Sequence, residues 1–160
     1  MVRSPAGGRR GTRQGGPVSE ASHAALLAEG REVLDEQPFS RLLGARLNVL
    51  APGRAEIELT LRTELLQQNG FAHGGVVSYL ADNALTYAGG SALGFAVVTS
   101  EFKINYVRPA IGERLIARAE AVALSRSQVV CRCDVLAWRG GEEKLCAVAQ
   151  GTVVRFVERR

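Results

Sequence analysis

The chain has 160 residues, 46% of them hydrophobic and 22% charged. That is a globular composition at single-domain length, which argues against a disordered, collagenous or fibrous protein. The formal net charge of +4 belongs to the first 19 residues: Arg3, Arg9, Arg10 and Arg13 lie there with no acid, and the rest carries 16 basic against 16 acidic residues, so no nucleic-acid-binding face is expected.

Residues 1–19 include the low-complexity run GGRRGTRQGG from Gly7 to Gly16, which cannot bury a core and predicts a disordered tail ahead of a single domain over 20–160. No charged-then-apolar signal peptide opens the chain. Residues 20–36 place Ala24, Leu27 and Leu34 on one side of a helix, with Ser19 as its cap. Pro38 ends that helix, and Phe39–Gly44 reads as a turn. A short strand follows near 45–50, then the tight turn Ala51-Pro52-Gly53. Residues 54–62 alternate: Ala55, Ile57, Leu59 and Leu61 face one way, Arg54, Glu56, Glu58, Thr60 and Arg62 the other, as in a half-buried strand.

Residues 74–89 change period. Val76, Val77, Leu80, Ala81, Ala84, Leu85 and Ala88 form the broad apolar face of a helix, and most of the helix is small enough to lie close against a sheet. Ser78, Asp82 and Thr86, four apart, make a polar stripe on it. The longest uncharged run, Asn83–Ser100, spans 18 residues but holds hydroxyls, an amide and glycines, so it is not expected to cross a membrane. Four strands are predicted at about 96–107, 113–124, 128–138 and 144–156, separated by turns at Pro109–Gly112, Ser125–Ser127 and Arg139–Gly141. Consecutive strands joined by short turns pair antiparallel, so a sheet around one long helix gives an α+β fold. The three cysteines, Cys131, Cys133 and Cys146, are odd in number and have no partner histidines for a zinc set. They read as buried, reduced thiols of a cytoplasmic protein, with no metal and no cofactor expected.

Chemistry concentrates in one segment. Gln68, Asn69, Gly70, Phe71, Ala72, His73, Gly74 and Gly75 precede the long helix, and Asp82 lies within it. Two glycines opening a helix let backbone N–H groups approach a ligand at the positive end of the helix dipole, where an oxyanion can be held. A carboxylate on an apolar helix needs a reason, because such groups are seldom buried unpaired. Each feature also has an ordinary explanation: a turn cap, a tight helix start, a solvated helix edge.

Taken together, Asn69-Gly70, His73-Gly74-Gly75, Leu80-Ala81-Asp82 and the strand end Asn105-Tyr106-Val107-Arg108-Pro109 resemble the hotdog-fold thioesterases, specifically the PaaI-type acyl-CoA thioesterases. The resemblance covers about residues 38–157. It implies an antiparallel sheet wrapped around a central helix, and hydrolysis of an acyl-CoA thioester. In that scheme Asp82 is general base or nucleophile, and the Gly74 N–H, beside Gly75, lies in the oxyanion hole. Asn69 and His73 orient the thioester or the water, and Thr99 holds the water or Asp82. Arg108, and less strongly Arg126, face CoA phosphates. The family implies a homodimer at minimum, with the active site between subunits, and often a dimer of dimers. Two other readings of the same fold are a non-catalytic acyl-CoA-binding module and an enoyl-CoA hydratase or dehydratase. The second wants Asp, Pro and His where this chain has Gln67, Gly70 and Ala72.

Overall fold

The computed structural model describes residues 20–156. The expected tail, 1–19, and the Ser19 cap lie outside them. Helix α1 (Glu20–Glu36) is followed directly by a second helix, α2 (Pro38–Leu43), where a turn was expected. Pro38 stops α1 but opens α2, because its fixed φ and missing N–H suit a first helical position. Gly44, at φ +77°, closes α2 with its N–H on the Ser40 and Arg41 carbonyls.

Strands β1 (Ala45–Ala51) and β2 (Arg54–Thr60) form a hairpin. A 3₁₀ turn (Thr63–Leu65) then leads to the long helix α3 (Gly74–Leu93), and four strands follow: β3 (Val97–Tyr106), β4 (Arg114–Leu124), β5 (Gln128–Arg139) and β6 (Glu142–Arg155). The sheet order is β1-β2-β4-β5-β6-β3, antiparallel throughout. Thus β1 and β3 are its edges.

The sheet wraps α3, which packs against every strand. All seven apolar positions read from its periodicity are buried, with Leu80 and Leu85 wholly so. Burying one such leucine contributes about 1.5–3 kcal/mol. The helix runs one turn past the expected end at residue 89 because Gly89 is packing, not punctuation. A Cβ there would lie 2.8 Å from the Val153 side chain of β6, so only glycine lets helix and sheet approach this closely. Cys131, Cys133 and Cys146 are buried in the same core as free thiols. The outward face of the sheet carries the charges expected of β2, where Arg118 bridges Glu56 at 2.7 Å and Glu143 at 2.6 Å. No helix among the described residues is long and apolar enough to cross a membrane.

Candidate active site at the start of the central helix

The segment before α3 is a small hairpin. Its arms meet through the Leu66–Ala72 bridge, and Gly70, at φ +81°, makes its turn. The Gln67 N–H donates to the Phe71 carbonyl at 2.9 Å, and the Gly70 N–H to the Gln67 carbonyl at 2.9 Å. The hairpin is tied to the body of the protein by Ala72 N–H to the Ala110 carbonyl (3.0 Å) and His73 N–H to the Leu65 carbonyl (2.9 Å). His73 therefore enters α3 from a fixed position.

His73 is extended (φ −61°, ψ 138°) and caps the helix: its Nδ1 accepts the Gly75 N–H at 3.0 Å. That bond needs a lone pair on Nδ1, so the neutral ring carries its proton on Nε2, free to donate outward. The His73 carbonyl takes the Val76 N–H at 2.9 Å. The Gly74 N–H is left without an acceptor among the described residues, an unpaired donor at the positive end of a 20-residue helix. From the end of β3, the Tyr106 hydroxyl donates to the Gly74 carbonyl at 3.0 Å and pins this first turn.

A cleft of about 710 Å³ opens here, between the hairpin, the start of α3 and the segment Tyr106–Ala110. Its walls include Gln67, Gln68, Phe71, His73, Gly74 and Arg108. Gly75 lines it too, whereas Asn69 lies on the exposed turn of the hairpin, its N–H donating to Gln67 Oε1 at 3.2 Å.

The remaining expected residues lie elsewhere in the same chain. Asp82 is eight residues beyond Gly74, about 12 Å along the helix axis. It is half-buried, and its Oδ1 is shut off from solvent with no hydrogen-bond partner. One turn further, Thr86 Oγ1 donates to the Asp82 carbonyl at 2.9 Å and lies 2.6 Å from Thr99 Oγ1, near the start of edge strand β3. Arg126 is in the β4–β5 turn, at the end of β4 away from the cleft, about 35 Å of strand from Arg114. The structure thus gathers His73, Gly74, Gly75 and Arg108 into one cleft and Asp82 and Thr99 along a separate polar stripe. It leaves Arg126 apart from both. Two contributors went unassigned in the sequence. Tyr106 appeared only within a motif, and Thr86 only as part of the stripe, although its spacing of four from Asp82 is the signal that finds it.

An antiparallel sheet wound round one long helix is the architecture that this chain shares with the known proteins it resembles. Over residues 69–145 the chain matches the thioesterase superfamily. A thioesterase family protein from Silicibacter pomeroyi is 37% identical and superposes with a TM-score of 0.78, the match covering 83% of this chain and 99% of that one. A mutant of the phenylacetic acid degradation protein PaaI from Thermus thermophilus is also 37% identical, with a TM-score of 0.65 over 75% of this chain and all (100%) of that one. A relative from Archaeoglobus fulgidus is 34% identical over 118 residues, 73% of this chain and 74% of that protein. The chain belongs to the thioesterase superfamily and has its hotdog fold.

Proposed function

We propose that this protein is an acyl-CoA thioesterase that hydrolyses a small, aromatic or medium-chain acyl-CoA to the free acid and CoA. The observation that carries the reading is a pair of unsatisfied groups: the N–H of Gly74, a cleft-lining residue, which has no acceptor among the described residues, and Asp82 Oδ1, buried without a partner. An unpaired buried oxygen costs on the order of 1–3 kcal/mol, which a bound water or ligand would offset. In this reading the Gly74 N–H, with Gly75 beside it, receives the developing oxyanion. Asp82 acts as general base on a water or as nucleophile, Asn69 and the outward Nε2–H of His73 orient the thioester, and Thr99 holds the water. Arg108, on the cleft wall, meets a CoA phosphate; Arg126 could do so only in another subunit.

One chain cannot readily bring the two unsatisfied groups to one carbonyl, because about 12 Å of helix separates them. Two α3 helices running antiparallel across a twofold axis can, so the proposed enzyme is at least a homodimer with its sites between subunits, and a dimer of dimers by family resemblance. The open edge of β3, ten residues long and adjacent to the Asp82 stripe, supports that pairing. Buried, reduced cysteines fit the cytoplasm.

A panel of acyl-CoAs assayed for CoA release with a thiol dye tests the reading. Hydrolysis is expected for at least one member, with kcat falling by about 10²–10⁴ in Asp82→Asn while substrate binding survives. Failure of every acyl-CoA would reject it, and an Asp82→Asn protein within about threefold of wild type would remove Asp82 from the chemistry.

A further inference from the structure

The Thr86–Thr99 contact fixes the direction of its own hydrogen bonds. Thr86 Oγ1 lies 2.9 Å from the Asp82 backbone carbonyl, which can only accept, so the single hydroxyl proton of Thr86 is spent there. Thr99 Oγ1 lies 2.6 Å from Thr86 Oγ1, a separation at which a proton must lie between the two oxygens. Thr99 alone can supply it. The order therefore runs from the Thr99 hydroxyl to the Thr86 hydroxyl to the Asp82 carbonyl, leaving Thr99 with lone pairs and no proton to offer.

We propose that Thr86 is a positioning residue that makes Thr99 a pure hydrogen-bond acceptor toward the active site. The inference rests on the thioesterase reading above for its role in catalysis, but not for the proton order itself. Held this way, Thr99 can accept a hydrogen bond from the attacking water. It cannot donate to the Asp82 carboxylate, which would weaken a base, nor to the thioester oxygen in competition with the Gly74 N–H. The family resemblance left Thr99 holding either the water or Asp82; the proton order selects the water.

Two measurements test this. Neutron diffraction from the deuterium-exchanged protein reads the order directly. A deuteron bonded to Thr99 and pointing at Thr86 is expected, and one bonded to Thr86 and pointing at Thr99 would overturn the inference whether or not the protein is a thioesterase. Kinetics on the best acyl-CoA of the panel reads the role. Thr86→Val, nearly isosteric but without the hydroxyl, should lower kcat about tenfold, the scale of one misdirected hydrogen bond, with KM within about twofold. Thr86→Ser, which keeps the hydroxyl, should recover most of that loss. Thr99→Val combined with Thr86→Val should be no slower than Thr99→Val alone, because Thr86 acts only through Thr99. A Thr86→Val protein with wild-type kcat, or losses that simply multiply in the double variant, would overturn the role. A wild-type protein inactive on every acyl-CoA rejects the thioesterase reading and the catalytic role with it, while the neutron result still decides the proton order.

Discussion

Two neighbouring glycines at the start of α3 meet different constraints. A Cβ on Gly74 would lie 3.6 Å from the Tyr106 hydroxyl, an ordinary contact, whereas on Gly75 it would lie 3.1 Å from His73 Nδ1, the atom capping that residue's own N–H. Gly74→Ala should therefore fold normally, melting within about 2 °C of wild type, and lose activity because its methyl stands at the cleft beside the N–H. Gly75→Ala should displace the His73 ring and cost up to about 1 kcal/mol, the worth of a helix cap, in a thermal melt. Tyr106→Phe removes the hydroxyl that holds the Gly74 carbonyl. A several-fold fall in kcat is expected from the loosened donor, and unchanged CoA release would show that the first turn holds itself. In the core, burial raises the Cys131 and Cys146 thiols to about 11 and Cys133 to about 12, from an ordinary 9.0. The thiolate is the reactive form, so the folded protein should resist iodoacetamide at neutral pH and be labelled only on unfolding. Because the fold favours the protonated thiols, their stabilisation is complete below pH 9.0 and is lost as pH rises toward about 11 for Cys131 and Cys146 and about 12 for Cys133. The melting temperature should fall across that interval.

At the scale of elements, the contact of α3 with β6 sets how closely the central helix can seat. Alanine ordinarily suits a helix better than glycine by about 1 kcal/mol. At Gly89 a methyl group would press within 2.8 Å of Val153 in a packed core, and overpacking of this kind costs about 1–3 kcal/mol. Gly89→Ala should lower the melting temperature by on the order of 5 °C, and a rise instead would mean that the sheet yields to the helix. Helix α2 is the clearest departure from the sequence reading. Six residues carry too little periodicity to announce a helix, and this one is held by a tertiary contact: Phe39 meets the Tyr79 ring of α3 edge-on at 5.3 Å, and the Tyr79 hydroxyl donates to Ser40 at 2.7 Å.

At the scale of the whole molecule, the separation of the Gly74 cleft from the Asp82 stripe makes a prediction about subunit mixing. In a dimer whose sites each combine Gly74 of one chain with Asp82 of the other, a variant blocked at Gly74 and an Asp82→Asn variant are each inactive. Random reassociation of equal amounts gives heterodimers holding one intact site in two, so about a quarter of wild-type activity should return. No recovery after confirmed exchange, or a monomer that is fully active, would show that one chain suffices.

Much was legible in the residues themselves. The period of Val76–Ala88 gave the central helix and its buried face, and the alternation at 54–62 gave a half-buried strand, which ends at Thr60. The spacing from His73 to Asp82 marked the segment for which chemistry is proposed. These are local properties, set by the 3.6-residue and two-residue repeats of the backbone. The sheet order was not legible: β2 pairs with β4 and β3 crosses to β6, choices made by burial around α3 between strands far apart in sequence. Nor were the hydrogen bonds from Tyr106 to Gly74, 32 residues apart, and between Thr86 and Thr99, 13 apart. Sequence spacing ranks which groups are reactive. Only tertiary packing decides which lone pairs and protons are already spent, and so which remain to meet a substrate.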